Sequence, residues 1–160
     1  MCETVKINPL NPNNAHLIAD WCKCKDEDFL RQWAGNGYSY PLTGKQICDR
    51  LEEGAEIFEA HFEDKMIGTI EVISRDEQKH TALIGRFVLD QAITQRGLGT
   101  QMLSAFLQYC KETFGIFEAT LYVFDFNVAA YRCYQKCGFV ETGIEERSNG
   151  WKAIRMRKVL

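Results

Sequence analysis

Two stretches of the chain combine residue types and spacings that can do chemistry. The first is Val88-Leu89-Asp90-Gln91-Ala92-Ile93-Thr94-Gln95-Arg96-Gly97-Leu98-Gly99-Thr100. An apolar strand ends there, and a glycine-punctuated turn opens a helix. The first N–H groups of a helix lack intrahelical partners, and the helix dipole adds partial positive charge at that end. A pyrophosphate fits such a nest. Gly97 and Gly99 let phosphate oxygens approach the backbone, and Arg96 can add a charge-assisted contact. The plainer reading is a strand-to-helix turn whose glycines serve packing. Two other nucleotide motifs are excluded. G-x-x-x-x-G-K-[ST] does not occur. The dinucleotide fingerprint needs a third glycine and an acid ending the next strand, whereas Ala119 to Phe124 meets none until Asp125.

The second stretch runs from Asn127 to Phe139. Asn127 follows a strand and opens a helix, so its side chain caps the helix, contacts a ligand, or does both. Ala130 keeps the helix surface low, and Tyr134 lies one turn further along the same face. A phenol with an ordinary pKa of about 10 holds its proton at neutral pH and can donate it to a leaving group. The alternative for Tyr134 is a core aromatic with a satisfied hydroxyl. Gly138-Phe139 reads as a helix stop and an apolar plug. Cys133 and Cys137 share a helix face and read as packed thiols. Nucleophilic catalysis by Cys133 is disfavoured, because no histidine lies near it in sequence.

These residues need a scaffold, and the pattern supplies one. A strand is expected at Thr4 to Asn8, then a helix capped by Asn13 and Asn14 and running to Cys22. Asp26 to Ala34 is a second helix with Phe29, Leu30 and Trp33 on its apolar face, stopped by Gly35-Asn36-Gly37. Thr43 and Gln46 form a capping box that opens a third helix, ended by Gly54. Glu56 to Phe62 and Met66 to Ser74 flank the turn Glu63-Asp64-Lys65 as a hairpin. Thr81 to Leu89 is apolar enough to predict a central strand buried on both faces. A helix follows from Gly97 to Thr113, with Leu98, Met102, Ala105, Phe106, Tyr109 and Cys110 as its stripe. Then come the strand Ala119 to Phe124, the helix from Asn127 to Cys137, and closing strands at Phe139 to Thr142 and Trp151 to Lys158. The alternation of strand and helix in the second half implies one parallel pair. The fold class is α/β (α+β): a mixed, mostly antiparallel sheet of six to seven strands flanked by helices.

Composition narrows the function classes. The 160 residues suit one domain, residues 1–160, with a core of its own. Hydrophobic residues make up 46% and charged residues 26%, and net charge is −3, so no basic excess points to nucleic acid. No apolar run approaches the roughly 20 residues of a membrane span. Met-Cys-Glu-Thr-Val-Lys carries no apolar signal region, and seven cysteines without one suggest reduced thiols in a cytoplasmic protein. Cys22 and Cys24 lack a matching second pair, and His16, His61 and His80 are scattered, so no metal site is expected.

The two stretches together resemble the GCN5-related N-acetyltransferase (GNAT) superfamily. Its acetyl-CoA motif, Q/R-x-x-G-x-G/A, aligns with Thr94-Gln95-Arg96-Gly97-Leu98-Gly99. Both glycines match. Thr94 stands where Gln or Arg is usual, and Gln95 or Arg96 can take over its contact. The later pattern N-x-x-A-x-x-x-Y-x-x-x-G-F is met by Asn127, Ala130, Tyr134, Gly138 and Phe139, thirty residues after Gly97. Gly85-Arg86-Phe87-Val88-Leu89-Asp90 also resembles the superfamily. The resemblance covers Gly85 to Phe139, with the hairpin before it in the family order.

That resemblance implies a single GNAT-like domain in which two parallel strands, Thr81–Leu89 and Ala119–Phe124, splay apart. It implies acetyl-CoA as co-substrate, with no metal. Phe87, Val88, Leu89, Thr94, Gln95, Arg96, Gly97, Leu98, Gly99, Thr100, Asn127, Ala130, Tyr131 and Tyr134 are its implied contacts. Backbone groups of Val88 and Leu89 would pair with the pantetheine amides, and an N–H there would hold the developing oxyanion. The implied reaction is direct attack by a primary amine of a small molecule or protein N-terminus, with Tyr134 as the acid for the departing thiolate. Glu71 is a candidate base, with an exposed strand carboxylate as the competing reading. Asp90 caps or braces the turn. The resemblance is compatible with a homodimer. A non-catalytic acyl-CoA-binding regulatory module is the alternative. A nucleotide-binding domain of another fold is a third reading, separable by titrating coenzyme A against ATP and NAD. Asp26, Glu27, Asp28, Glu52, Glu53, Glu145 and Glu146 could favour a cationic acceptor or merely line solvated faces. Trp33, Tyr38 and Tyr40 could wall its pocket or simply pack.

Overall fold

The structure is a computed structural model that describes residues 4–93 and 97–160. Seven strands form one sheet: β1 Lys6–Pro9, β2 Glu56–Phe62, β3 Lys65–Asp76, β4 Thr81–Leu89, β5 Glu118–Phe124, β6 Val140–Glu146 and β7 Lys152–Val159. Their order is β1-β2-β3-β4-β5-β7-β6. Five helices accompany them: α1 Ala15–Trp21, α2 Glu27–Ala34, α3 Gly44–Glu52, α4 Leu98–Phe114 and α5 Val128–Lys136. Contacts divide the chain into two compact units, Met1–Ile73 with Gly85–Arg96, and Ser74–Ile84 with Gly97–Leu160. Both β3 and β4 contribute residues to each unit.

In the first unit, β1 pairs antiparallel with β2, and β2 with β3. Glu63 and Asp64 close the β2–β3 hairpin with φ of 52° and 62°. Two consecutive left-handed residues match the twist of the flanking strands, so a two-residue turn suffices. Lys65, expected in that turn, pairs with Phe62 as the first residue of β3. Leu10, Ala15, Ile18, Ile47, Ile57, Met66 and Val88 make the core of this unit. The helix caps divide between expected and unexpected. Asp26 accepts from Phe29 N to open α2, and Thr43 from Gln46 N to open α3. The return half of the capping box is absent, because Gln46 Oε1 accepts from Ser39 N at 2.8 Å instead. Ahead of α1 the capping side chain is Asn11, which accepts from Asn13 N on a 3-10 turn. Asn14, at the start of α1, makes no side-chain cap and donates to Glu59.

In the second unit, β4 and β5 run parallel, with Thr81, Ala82 and Leu83 opposite Glu118, Ala119 and Thr120. The ladder ends there, although β4 runs on to Leu89 and β5 to Phe124. β5 and β6 both pair antiparallel with β7. α4 buries Leu98, Met102, Leu103, Phe106, Leu107 and Cys110, a stripe at helical spacing. Burying one such side chain contributes about 1.5–3 kcal/mol. The expectation that β4 is buried on both faces holds only by alternation. Ala82, Ile84 and Val88 are buried, and the residues between them are half-buried.

Candidate functional site

α4 opens differently from α2, α3 and α5. Those three have Asp26, Thr43 and Asn127 as side-chain caps. Before α4 stands Gly97 at φ 79°, ψ −2°, a left-handed conformation that a glycine adopts freely. No side chain among the described residues caps this helix. Gly97 O accepts from Gln101 N at 2.9 Å, which forms the first helical bond, and the N–H groups before it have no intrahelical partner. Leu98 is 3% exposed, so it can offer an anion only its backbone. Gly99 and Thr100 are half-buried. The arrangement fits a phosphate at the positive end of a 17-residue helix. Thr94, Gln95 and Arg96 lie outside the described residues.

α5 packs against α4 and carries the second motif. Asn127 Oδ1 accepts from Ala130 N at 3.3 Å, so its side chain serves as a cap. Tyr134 is buried. Burial, with Cys133 and Cys137 adding, pushes its phenol well above the ordinary value, so it keeps its proton at neutral pH. The chain leaves α5 through a Schellman close: Phe139 N donates to Tyr134 O at 3.0 Å and Gly138 N to Gln135 O at 2.9 Å. Tyr131 turns its hydroxyl to Glu141 Oε1 at 2.6 Å.

The two cysteines of α5 pack as expected and also reach α4. Cys137 Sγ donates to the Thr100 carbonyl at 3.6 Å, and Thr100 Oγ1 lies 3.7 Å from Cys133 Sγ. A hydrogen bond with Cys133, helped by Ser104 and Lys158, pulls the Cys137 thiol downward.

In the first unit, Phe87 and Leu89 are half-buried at the end of β4 and Val88 is buried. Asp90 braces the turn that follows. Its N–H donates to Ile67 O at 2.7 Å, Oδ1 accepts from Ala92 N at 2.9 Å, and Lys65 Nζ lies 3.5 Å from Oδ2.

Glu71 proves to be a buried carboxylate, 3% exposed, rather than a solvent-facing one. Arg50 binds it through two bonds, Nη1 to Oε1 at 2.5 Å and Nη2 to Oε2 at 2.6 Å. Arg86 Nη1 adds a third at 2.7 Å to Oε2. Both oxygens are therefore engaged by guanidinium donors. Arg50 in turn donates to Tyr38 Oη at 3.2 Å and lies 5.2 Å from the centroid of the Tyr38 ring. Arg86 has φ 50° inside β4. A left-handed conformation costs a non-glycine residue about 1–2 kcal/mol, so surrounding contacts must hold it. Glu59 is another buried acid, bonded by Asn11 N, Asn14 Nδ2 and His61 Nε2.

The sequence marks Glu71, Asp90 and, as a pocket wall or a packing residue, Tyr38, but gives no sign of Arg50. The positive φ of Arg86 has a faint signal in the preceding Gly85, where a Cβ would come within 2.9 Å of Ile73 Cδ1.

Comparison with known proteins follows this geometry. The family described as "Acetyltransferase (GNAT) family" matches residues 17–139. A spermine/spermidine N(1)-acetyltransferase of Bacillus subtilis (strain 168) is 32% identical over 89 residues, which are 56% of this chain and 58% of that protein. The match thus spans little more than half the length of this curated relative. Among solved structures, a spermidine N-acetyltransferase from Vibrio cholerae in complex with CoA and spermine superposes with a TM-score of 0.79. Its identity is 16%, over 98% of this chain and 95% of that one. The ribosomal-protein-S5-alanine acetyltransferase from Vibrio fischeri gives 0.77 at 17% identity, over 99% and 94%. At those identities the likeness is one of fold. No helix among the described residues is long and apolar enough to cross a membrane.

Proposed function

The chain belongs to the acetyltransferase (GNAT) family, and from that premise we propose that residues 1–160 transfer an acetyl group from acetyl-CoA to a primary amine. One observation carries the reading: the glycine-opened N-terminus of α4, which no side chain among the described residues caps and whose first-turn N–H groups suit a pyrophosphate. Gly97, Leu98, Gly99 and Thr100 hold the pyrophosphate, with Thr94, Gln95 and Arg96 beside them in sequence. Phe87, Val88 and Leu89 on β4, and Asn127, Ala130, Tyr131 and Tyr134 on α5, supply the remaining coenzyme contacts.

The amine attacks the thioester carbonyl directly. The C–N bond forms, the C–S bond breaks, the departing thiolate takes a proton from the Tyr134 phenol, and the proton that the nitrogen sheds as it becomes an amide returns to the phenolate through solvent. Its raised pKa makes this phenol a weaker acid than a free thiol, so the transfer is driven by collapse of the intermediate and not by the basicity of the thiolate. The attacking amine is mostly protonated at neutral pH and must first lose a proton. With its oxygens bound by Arg50 and Arg86, Glu71 is a poor candidate for that task, and water is the simpler route.

The acceptor is a small-molecule amine or a protein N-terminus. Polyamines are the first to test, because the curated relative that matches 89 residues carries their name. An acetyl-CoA consumption assay over polyamines, amino acids, aminoglycosides and N-terminal peptides decides among them. Turnover with one class assigns the acceptor. Acetyl-CoA binding without turnover on any amine would instead mark a non-catalytic acyl-CoA-binding module, and failure to bind acetyl-CoA would overturn the reading.

A further inference from the structure

Arg86 sits in the left-handed region, φ 50°, inside a strand. The other described non-glycine residues with positive φ are Glu63, Asp64 and His80, which all lie between strands. A strand residue adopts this conformation only when its surroundings over-determine it. Here the surroundings are explicit. Arg86 Nη1 donates to Glu71 Oε2 at 2.7 Å and Nε donates to the Ala34 carbonyl at the end of α2 at 3.1 Å. Gly37 makes room for the same side chain: a Cβ at position 37 would stand 2.6 Å from Arg86 Nε. Glu71 is itself fixed, because Arg50 on α3 grips it with two bonds and Tyr38 accepts from Arg50. Thus α2, α3 and β3 converge on the side chain of one strained residue.

We infer that the Glu71–Arg86 pair is a positioning device: it holds residue 86 in its left-handed kink and so sets the path of Phe87, Val88 and Leu89. This rests on the proposed function, in which those three residues line acetyl-CoA. A kink of this kind re-aims the backbone that follows it, as a bulge re-aims a strand. Without the anchor, residue 86 relaxes toward an extended conformation, and the N–H and C=O groups of the next residues turn away from their bound orientation. Glu71 acts through Arg86 and touches no reacting atom.

The test exploits what glycine alone can do. Arg86→Ala and Arg86→Gly both remove the guanidinium, and both leave Glu71 paired with Arg50. They differ by one Cβ, which penalises the left-handed conformation in alanine and is missing in glycine. Acetyl-CoA dissociation constants are measured by calorimetry on each variant, with thermal unfolding confirming that it is folded. Arg86→Ala is expected to bind about 10-fold more weakly than wild type. Arg86→Gly should recover about 5-fold or more of that loss, a size set by the conformational preference at one residue. Gly37→Ala, which crowds Arg86 Nε without altering β4, should also weaken binding.

Equal dissociation constants for the alanine and glycine variants would overturn the inference, because an ion pair that only stabilises the fold does not distinguish them. A loss of kcat in both, at unchanged acetyl-CoA affinity, would overturn it in favour of a chemical role. If wild type binds acetyl-CoA and the two variants match each other, the inference alone fails. If wild type does not bind, the functional reading fails first.

Discussion

Phe139 and Tyr134 are joined twice. The backbone N–H of Phe139 donates to the Tyr134 carbonyl at 3.0 Å, and the two rings meet edge to face with centroids 6.1 Å apart. The first contact closes α5, and the second packs the ring that follows the close against the ring of the proposed acid. Gly138, between them, has φ 98°. The pattern Y-x-x-x-G-F is thus a local device. The glycine permits the reversal, the reversal places Phe139, and Phe139 fixes the plane of Tyr134.

Substitution at Gly138 tests that device. A Cβ there would meet Lys158 Nζ at 3.2 Å, in a backbone conformation that L side chains rarely adopt. Gly138→Ala should therefore lower stability by about 1–2 kcal/mol. Urea unfolding of the two proteins measures the difference. A variant as stable as wild type would show that the close of α5 adapts freely.

The glycine-opened start of α4 makes a second prediction. Acetyl-CoA should raise the melting temperature of wild type in a concentration-dependent way, because it binds only the folded state. Gly99→Glu places a carboxylate in the first turn, where a phosphate is proposed to lie, and should abolish the shift. A variant that retains the full shift would remove the phosphate from this turn.

Glu59 sets a pH dependence. Burial pushes its carboxyl up, but hydrogen bonds from Asn11 N–H, His61 and Asn14 outweigh burial and hold it below the usual carboxylate range. A depressed folded value adds stability above the unfolded carboxyl's range, and that stability is lost as pH falls through the folded value. Glu59→Gln should therefore be less stable than wild type at about pH 6, with the gap shrinking toward about pH 3. Denaturant unfolding at both pH values checks it. A gap that stays constant would mean that the carboxylate's charge contributes nothing.

What the sequence reveals follows the range of the interactions. Thr43 and Asn127 are legible as caps because a cap bonds a backbone N–H three residues away. The positive φ of Gly138 is legible because it is a property of one residue. Glu71 was legible only as a carboxylate on a strand. Its partners lie 21 and 15 residues away on other elements, and no periodicity announces them. The same applies to Glu59, which draws Asn14 from 45 residues away and leaves capping to Asn11. Tyr131 shares the helix of Tyr134, yet a carboxylate on β6 ten residues on takes its hydroxyl. Polar pairing with residues on other elements decided these three positions, and pairing of that kind fixes the strained end of β4.

The last prediction concerns the acid. Tyr134→Phe keeps the ring, and with it the contact to Phe139, while removing the one proton the mechanism uses. Acetyl-CoA affinity should stay within about twofold, because the phenol matters to the leaving thiolate rather than to the bound thioester. Turnover should fall about 100-fold or more, the usual scale for a general acid, and the loss should appear in kcat. A purely structural Tyr134 would lower stability through its lost hydroxyl and leave kcat near wild type. Single-turnover kinetics on the folded variant, with an amine the wild type accepts, separates chemistry from product release. An unchanged single-turnover rate would remove Tyr134 from the reaction and leave the thiolate to be protonated by solvent.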